Sequence, residues 1–296
     1  MNIAVFSDVH GRVLLAFLLA ERWQSETGEK LDAILQAGDL GAYPSMEGLD
    51  RATIKHAQRD PTELGFSQDF ASYHEAVASA LARTTFPMIF VRGKHEDHAW
   101  LDSLERKAAG PIFPVDAYQR VYNLKTGVPY TLRAHDESGE SLTILGVGRI
   151  GAPADSDKAY AAKYIQQDER ERLYNLGPLA LDILLTHDVA EMRASRANHN
   201  GMSEIRDLLG AYQPRYHMYG HTEEAYREEW DENGVTTAVR LADLNWRNPG
   251  THGRLTPDSM GILRWHDRDH TSFAPVRALW LDDYSQWNWR AQISAQ

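Results

Sequence analysis

Apolar positions along this chain gather into short runs, and several of those runs stop at a residue able to carry chemistry. Asn2–Phe6 is one of them; it ends at Ser7-Asp8 and reads as a buried strand. Val13–Gln24 has helical length and spacing. Leu31–Gln36 is a second buried strand, ending at Gly38-Asp39. Ser45–Phe66 is polar and irregular, with Asp60-Pro61 marking a turn. Phe70, Tyr73, Val77 and Leu81 recur at three- and four-residue intervals, which predicts a helix over Gln68–Arg83. Pro87–Val91 is a third buried strand, ending at Arg92-Gly93-Lys94-His95. The order strand, helix, strand, helix, strand implies parallel pairing.

The texture then changes. Gln119–Leu124, Tyr130–Ala134 and Leu142–Val147 read as strands joined by polar turns, and Gly148–Gln167 as a long loop. Leu181–Leu185 is a buried strand ending at Thr186-His187-Asp188. Ser203–Tyr212 reads as a helix, and Arg215–Tyr219 as a strand ending at Gly220-His221. Thr236–Leu241, Met260–Trp265 and Arg277–Leu281 read as antiparallel strands. No repeat, low-complexity stretch or Pro/Gly/Ser linker divides the chain, so residues 1–296 are expected to form a single domain of the α/β (α+β) class.

Composition narrows the chemistry. The 296 residues are 43% hydrophobic, enough for a sizeable core, and carry a net charge of −11. Such a surface does not attract long polyanions non-specifically. There are no cysteines, which excludes disulfides and thiolate metal sites. Metal ligands must then be His, Asp, Glu or Asn, which suit Mn²⁺, Fe²⁺, Mg²⁺ or Zn²⁺. Asp8, His10 and Arg12 interrupt the first apolar stretch, unlike a signal peptide, and Val13–Ala20 is too short to span a bilayer. A cytoplasmic protein without membrane contact is expected.

Five of the apolar strands end in a His or Asp: Asp8 and His10, Asp39, His95, His187, and His221. A single such residue after a strand is an ordinary turn former or cap. Five together point elsewhere, because the carboxyl ends of strands in open α/β architectures converge on one crevice. Metal-type side chains delivered to that edge would build a polynuclear metal site.

Asp8-Val9-His10, Gly38-Asp39-Leu40, Gly93-Lys94-His95-Glu96, Thr186-His187 and Gly220-His221-Thr222-Glu223 occur in that order. They resemble the five blocks of the calcineurin-like metallophosphoesterases: D-x-H, G-D, G-N-H-E/D, a lone His, and G-H-x-H. The likeness spans residues 3–223. It implies a four-layer β-sandwich of two mixed sheets flanked by helices, with the strands of residues 224–296 completing the second sheet. It implies a hydrolase of phosphoesters holding one or two divalent ions per chain, with Mn²⁺ first and Fe²⁺, Zn²⁺ or Mg²⁺ as alternatives. Asp8 and His10 would bind the first metal, Asp39 would bridge, and His187 and His221 would bind the second. His95 would act as general acid or as a donor to the phosphate.

Two positions depart from the pattern. Lys94 stands where the family has an Asn ligand of the second metal, and Glu223 where it has a His ligand of the first. Glu can coordinate, whereas a protonated Lys cannot and repels a dication. The two changes cancel in formal charge, which leaves three versions open. Glu223 could bind the first metal while Lys94 takes over part of the second metal's electrostatic role. The two could pair with each other and weaken both sites. Lys94 could point to solvent while its neighbours bind metal. Arg12 could reach a substrate phosphate, or be a solvated first-turn residue. Asp188 could orient His187 or cap the following segment.

The spacing between Gly38-Asp39 and Gly93-Lys94, with the run Leu181–Asp188, looks like the RNA lariat-debranching branch of that superfamily. The acidic charge argues against a large RNA. Phosphodiester hydrolysis on a phosphoester substrate such as a nucleotide or RNA is the expectation. Its rival is a binding or regulatory protein that kept the fold and lost turnover through Lys94 and Glu223. Trp246, Trp265, Trp280, Trp287 and Trp289 suit sheet packing, or a homo-oligomer interface.

Overall fold

The computed structural model describes residues 1–136, 138–152, 161–191, 201–221, 225–247 and 253–293. Its elements run β1 (Asn2–Phe6), α1 (Val13–Thr27), β2 (Ala33–Gln36), α2 (Arg51–Ala57), α3 (Glu75–Leu81), β3 (Met88–Phe90) and α4 (His98–Glu105). Next come β4 (Ile112–Pro114), β5 (Val121–Leu124), β6 (Tyr130–Arg133), β7 (Ser141–Val147), α5 (Gln167–Tyr174) and β8 (Ile183–Thr186). The last are α6 (Ser203–Tyr212), β9 (Tyr216–Tyr219), β10 (Arg227–Trp230), β11 (Thr237–Arg240), β12 (Trp246–Arg247), β13 (Arg254–Leu255), β14 (Met260–Trp265) and β15 (Thr271–Pro275).

Two large mixed sheets result. Seven strands lie in the order β15-β14-β1-β2-β3-β5-β4, and six in the order β10-β11-β9-β8-β7-β6. The side-chain period of two explains how they stack. Ile3 and Val5 of β1 face one way, into a core shared with Ile183 and Leu185 of β8 and Met218 of β9. Ala4 and Phe6 face the other way, onto α1 and α3. In the second sheet Leu184 points outward to Ile205, Leu208 and Leu209 of α6. Strands covered on both faces need unbroken apolar runs, and that is why these segments stand out in the sequence. The layers are helices, sheet, sheet, helices.

Residues 224–296 do not all join the second sheet, as the sequence reading had it. β10 and β11 do, but β14 pairs antiparallel with β1 along Asn2–Phe6, and β15 pairs with β14, so both extend the first sheet. The free side of β1 offered a backbone ladder that no periodicity reports. The predicted strand Arg277–Leu281 is instead a bend running into a 3-10 turn at Leu279–Asp283, with Leu279 90% exposed. The predicted strand Thr236–Leu241 corresponds to β11, which runs parallel to β9 and antiparallel to β10.

The predicted helix Gln68–Arg83 is broken. A π-type turn covers Phe66–Phe70, and α3 begins only at Glu75. Tertiary partners cause the break: the Ala117 N–H donates to the Phe70 carbonyl (2.9 Å), and the His74 N–H to the Tyr118 hydroxyl (2.7 Å). The polar stretch Ser45–Phe66 is not irregular throughout. Asp50 caps α2 by accepting from Ala52 N (2.7 Å) and Thr53 N (2.9 Å). Residues 153–160, the middle of the predicted long loop, lie outside the described residues.

Candidate metal centre

The first sheet delivers its residues through loops that continue the strand ladder. The Asp8 N–H donates to the Gly38 carbonyl (3.1 Å), His10 N–H to Asp39 O (2.9 Å) and Gly11 N–H to Leu40 O (2.7 Å). Between the two site residues, Val9 is buried in the helix-side core. The loops are bent sharply. Asp8, His10, Asp39 and His221 all have positive φ, between 42° and 75°, a region that costs energy for residues with a Cβ. Among the described residues, half of the eight non-glycine residues with positive φ therefore lie at this one edge. The neighbouring glycines allow close approach. A Cβ on Gly93 would collide with the backbone nitrogen and carboxylate of Asp39, and one on Gly220 with Ser7 and Asp8.

Asp8, Asp39 and His187 offer ligand atoms all within 4.8 Å of one another, and all three are buried. His10 adds Nε2 at 3.9 Å from Asp39 Oδ2. His221 donates its backbone N–H to Asp8 Oδ2 (3.2 Å), and its ring lies 4.9 Å from that of His187. The five predicted ligands Asp8, His10, Asp39, His187 and His221 thus come together. His187 donates Nδ1–H to the carbonyl of Ala37 (3.0 Å), which turns its Nε2 towards Asp39 Oδ1 at 3.3 Å. That Nε2 is buried with no hydrogen-bond partner. A buried ring nitrogen and a carboxylate that face each other without a hydrogen bond can share a cation, so the donor set fits a divalent ion.

The electrostatics agree. Burial, with the charges of Asp39 and Asp243, raises the Asp8 carboxyl well above its ordinary range. Burial opposes ionisation of Asp39 too, but the imidazoles of His187, His95 and His10 hold it below the carboxylate range. Burial lowers the His10 pKa against the pull of Asp39 and Glu63, which favours the neutral form that coordinates.

His95 sits beside this cluster, its ring centroid 5.7 Å from that of His10. Its backbone N–H donates to Asp39 (2.7 Å), as does that of Lys94. His95 Nδ1 bonds Asp50 Oδ2 (2.6 Å), which also accepts the Tyr43 hydroxyl (2.6 Å). Burial opposes protonation of His95, but Asp50 and then Asp39 raise its pKa above the ordinary value. Burial and Asp50 drive the Tyr43 phenol upward, so Tyr43 remains a donor. Glu96 accepts from Leu40 N (2.8 Å) and Ala42 N (2.6 Å), tying the second loop to the third. Burial and the charge of Asp39 push Glu96 to about 8.

Arg12 is placed differently from the expectation of a phosphate contact. It is 2% exposed, and its guanidinium pairs with Asp60 and with Glu63 (3.1 Å). The acceptor for His187 is Ala37 rather than Asp188, whose carboxylate instead takes Gly151 N (2.8 Å) and Val189 N (2.8 Å). The Lys94 side chain is half-buried and makes no hydrogen bond or ion pair among the described residues. Glu223 lies outside the described residues. Sequence reading did not reach Asp50, Glu63 or Asp243. The only signal for Asp50 was an Asp ahead of a helix start, and Asp243 follows β11 as His221 follows β9.

The sequence profile of the calcineurin-like phosphoesterases matches residues 1–224. No curated protein matches the chain by sequence. Among solved structures, TT1561 of Thermus thermophilus aligns with a TM-score of 0.51 at 16% identity, over 93% of this chain and 99% of that one. GAP50 of the Plasmodium inner membrane complex gives 0.47 at 10% identity, over 94% of this chain and 89% of its own. Purple acid phosphatase PPD1 from yellow lupin gives 0.41 at 14% identity, over 90% and 50%. Identities this low speak to fold alone, and only for TT1561. The profile match covers most of the chain and all five strand-end blocks, of which Asp8, His10, Asp39, His95, His187 and His221 meet at one edge of a two-sheet sandwich. The chain belongs to the calcineurin-like phosphoesterase family.

Proposed function

We propose that this protein is a phosphodiesterase that hydrolyses small or nucleotide-sized diesters with the help of a divalent ion. The supporting observation is His95, hydrogen-bonded to Asp50, which raises its pKa, beside a buried cluster of carboxylates and imidazoles. Asp8, His10 and Asp39 would hold a first ion, and Asp39, His187 and His221 a second; Mn²⁺ suits this set. When bound, such an ion supplies Lewis-acid activation of water and of the phosphoryl oxygen. Asp39 is ionised and central, so it anchors the charge. His95 donates its proton to the departing alkoxide, and Asp50 stabilises the imidazolium until then. Tyr43 holds the shared Asp50 oxygen in place.

Lys94 favours a diester over a monoester. A unit charge 4 Å from another interacts by about 4 kcal/mol at an effective dielectric near 20, and a dication would feel roughly twice that. An ammonium at this position weakens the second ion, leaving less positive charge for a dianionic monoester. A monoanionic diester suits the site better, with Lys94 free to stabilise charge on the phosphoryl group. The net charge of −11 favours compact substrates over long RNA. We read residues 1–296 as one domain, since β14 completes the sheet that carries Asp8 and Asp39.

Hydrolysis of bis-p-nitrophenyl phosphate and of p-nitrophenyl phosphate, with and without Mn²⁺, tests this reading. The expected result is metal-dependent turnover with the higher kcat/KM on the diester. Preference for the monoester would reassign the substrate class. No turnover of either with any divalent ion would mean that Lys94 and Glu223 have left a binding protein.

A further inference from the structure

We propose that Glu63, clamped by Arg12, is a positioning residue for His10, fixing the ring that would hold the first metal ion. The inference rests on the metal-site reading above. One carboxylate oxygen of Glu63 accepts from Arg12 Nη2 (3.1 Å), and the other faces His10 Nδ1 at 3.8 Å. The second contact is electrostatic rather than a hydrogen bond at that length. The opposite ring nitrogen, Nε2, faces Asp39 at 3.9 Å. The imidazole therefore lies between two carboxylates, one inside the candidate centre and one behind it. A carboxylate behind the ring favours the proton on Nδ1 and leaves the Nε2 lone pair for the centre.

The segment carrying Glu63 is locked to the loop carrying His10. A Cβ on Gly11 would collide with the carbonyl of Glu63, and one on Gly65 with the carbonyl of Gly11. Arg12 binds Asp60 as well as Glu63, and Asp60 caps the turn Pro61–Leu64 through Thr62 N (3.1 Å). Asp60 is 6% exposed and Glu63 5% exposed, so neither carboxylate is freely solvated. One guanidinium between two carboxylates leaves a net negative charge next to His10. Two buried carboxylates without Arg12 would repel each other and lose the fork that orients them.

Metal-free wild type, Glu63→Gln and Asp60→Asn are titrated with Mn²⁺ by calorimetry. Outer partners of metal-binding histidines typically contribute about 10–100-fold in affinity, so Glu63→Gln should raise Kd by that factor. Asp60→Asn, which touches Arg12 but not His10, should raise it less. Wild-type affinity in Glu63→Gln overturns the inference. So do affinity losses in both variants that merely track the fall in the metal-free melting temperature. Failure of wild type to bind Mn²⁺ would instead sink the metal-site reading. Nitrogen-15 spectra of the His10 ring in wild type decide the matter even if Glu63→Gln does not fold. A proton on Nδ1 is expected, and a proton on Nε2 overturns the proposal.

Discussion

Asp50 Oδ2 receives both His95 and the Tyr43 hydroxyl, while Oδ1 caps α2. One carboxylate thus raises the His95 pKa, orients its ring and starts a helix. Asp50→Asn should remove the largest influence raising the His95 pKa. A general acid works below its pKa, and activity falls as pH rises through it. The alkaline limb of kcat should therefore move to lower pH in Asp50→Asn. The loss near neutral pH should be smaller than the about 10²–10⁴-fold expected from removing a positioned acid. A pH–rate profile checks this, and an unmoved alkaline limb would mean that His95 is not the titrating acid. Metal-type residues just beyond apolar runs were legible in the sequence because Asp and His differ so sharply from the strands before them. Arg12 was not, because its burial depends on Asp60 and Glu63 from a segment without periodicity.

At the scale of elements, strands were read with more success than helices. β1, β2, β3 and β8 are covered on both faces, so their sequences are mostly apolar, whereas β9 is buried but carries His217. α2, α4 and α5 are short, α2 and α5 are mostly polar, and the starts depend on caps such as Asp50 and Asp97. Strand pairing was the weakest inference, since the ladder that places β14 on β1 leaves no mark in either sequence. Glycines show how local chain and site depend on each other. Gly93→Ala puts a methyl group into the Asp39 backbone and should cost about 1–3 kcal/mol or more. Gly210 lies in α6 with open space around it, and Gly210→Ala should stabilise by about 0.5–1 kcal/mol. Denaturant unfolding of the two variants should move in opposite directions. Equal shifts would mean that the loop at Gly93 is not held against Asp39.

At the scale of the molecule, the strand ends of two facing sheets bring together residues as distant in sequence as Asp8 and His221. Neither sheet alone has the full set: Asp8, His10, Asp39 and His95 follow the first, His187 and His221 the second. The core between the sheets holds the centre together. No helix among the described residues is long and apolar enough to cross a membrane. Of the C-terminal tryptophans, Trp246, Trp265 and Trp289 pack into the interior, whereas Trp287 is exposed. If this edge binds metal and His95 supplies the proton without binding it, removing His95 separates the two roles. Turnover of bis-p-nitrophenyl phosphate and bound Mn²⁺ should be measured together in wild type and His95→Ala. A fall in kcat of about 10²–10⁴-fold with the metal content unchanged is expected. Loss of bound metal in the variant, or undiminished turnover, would contradict it.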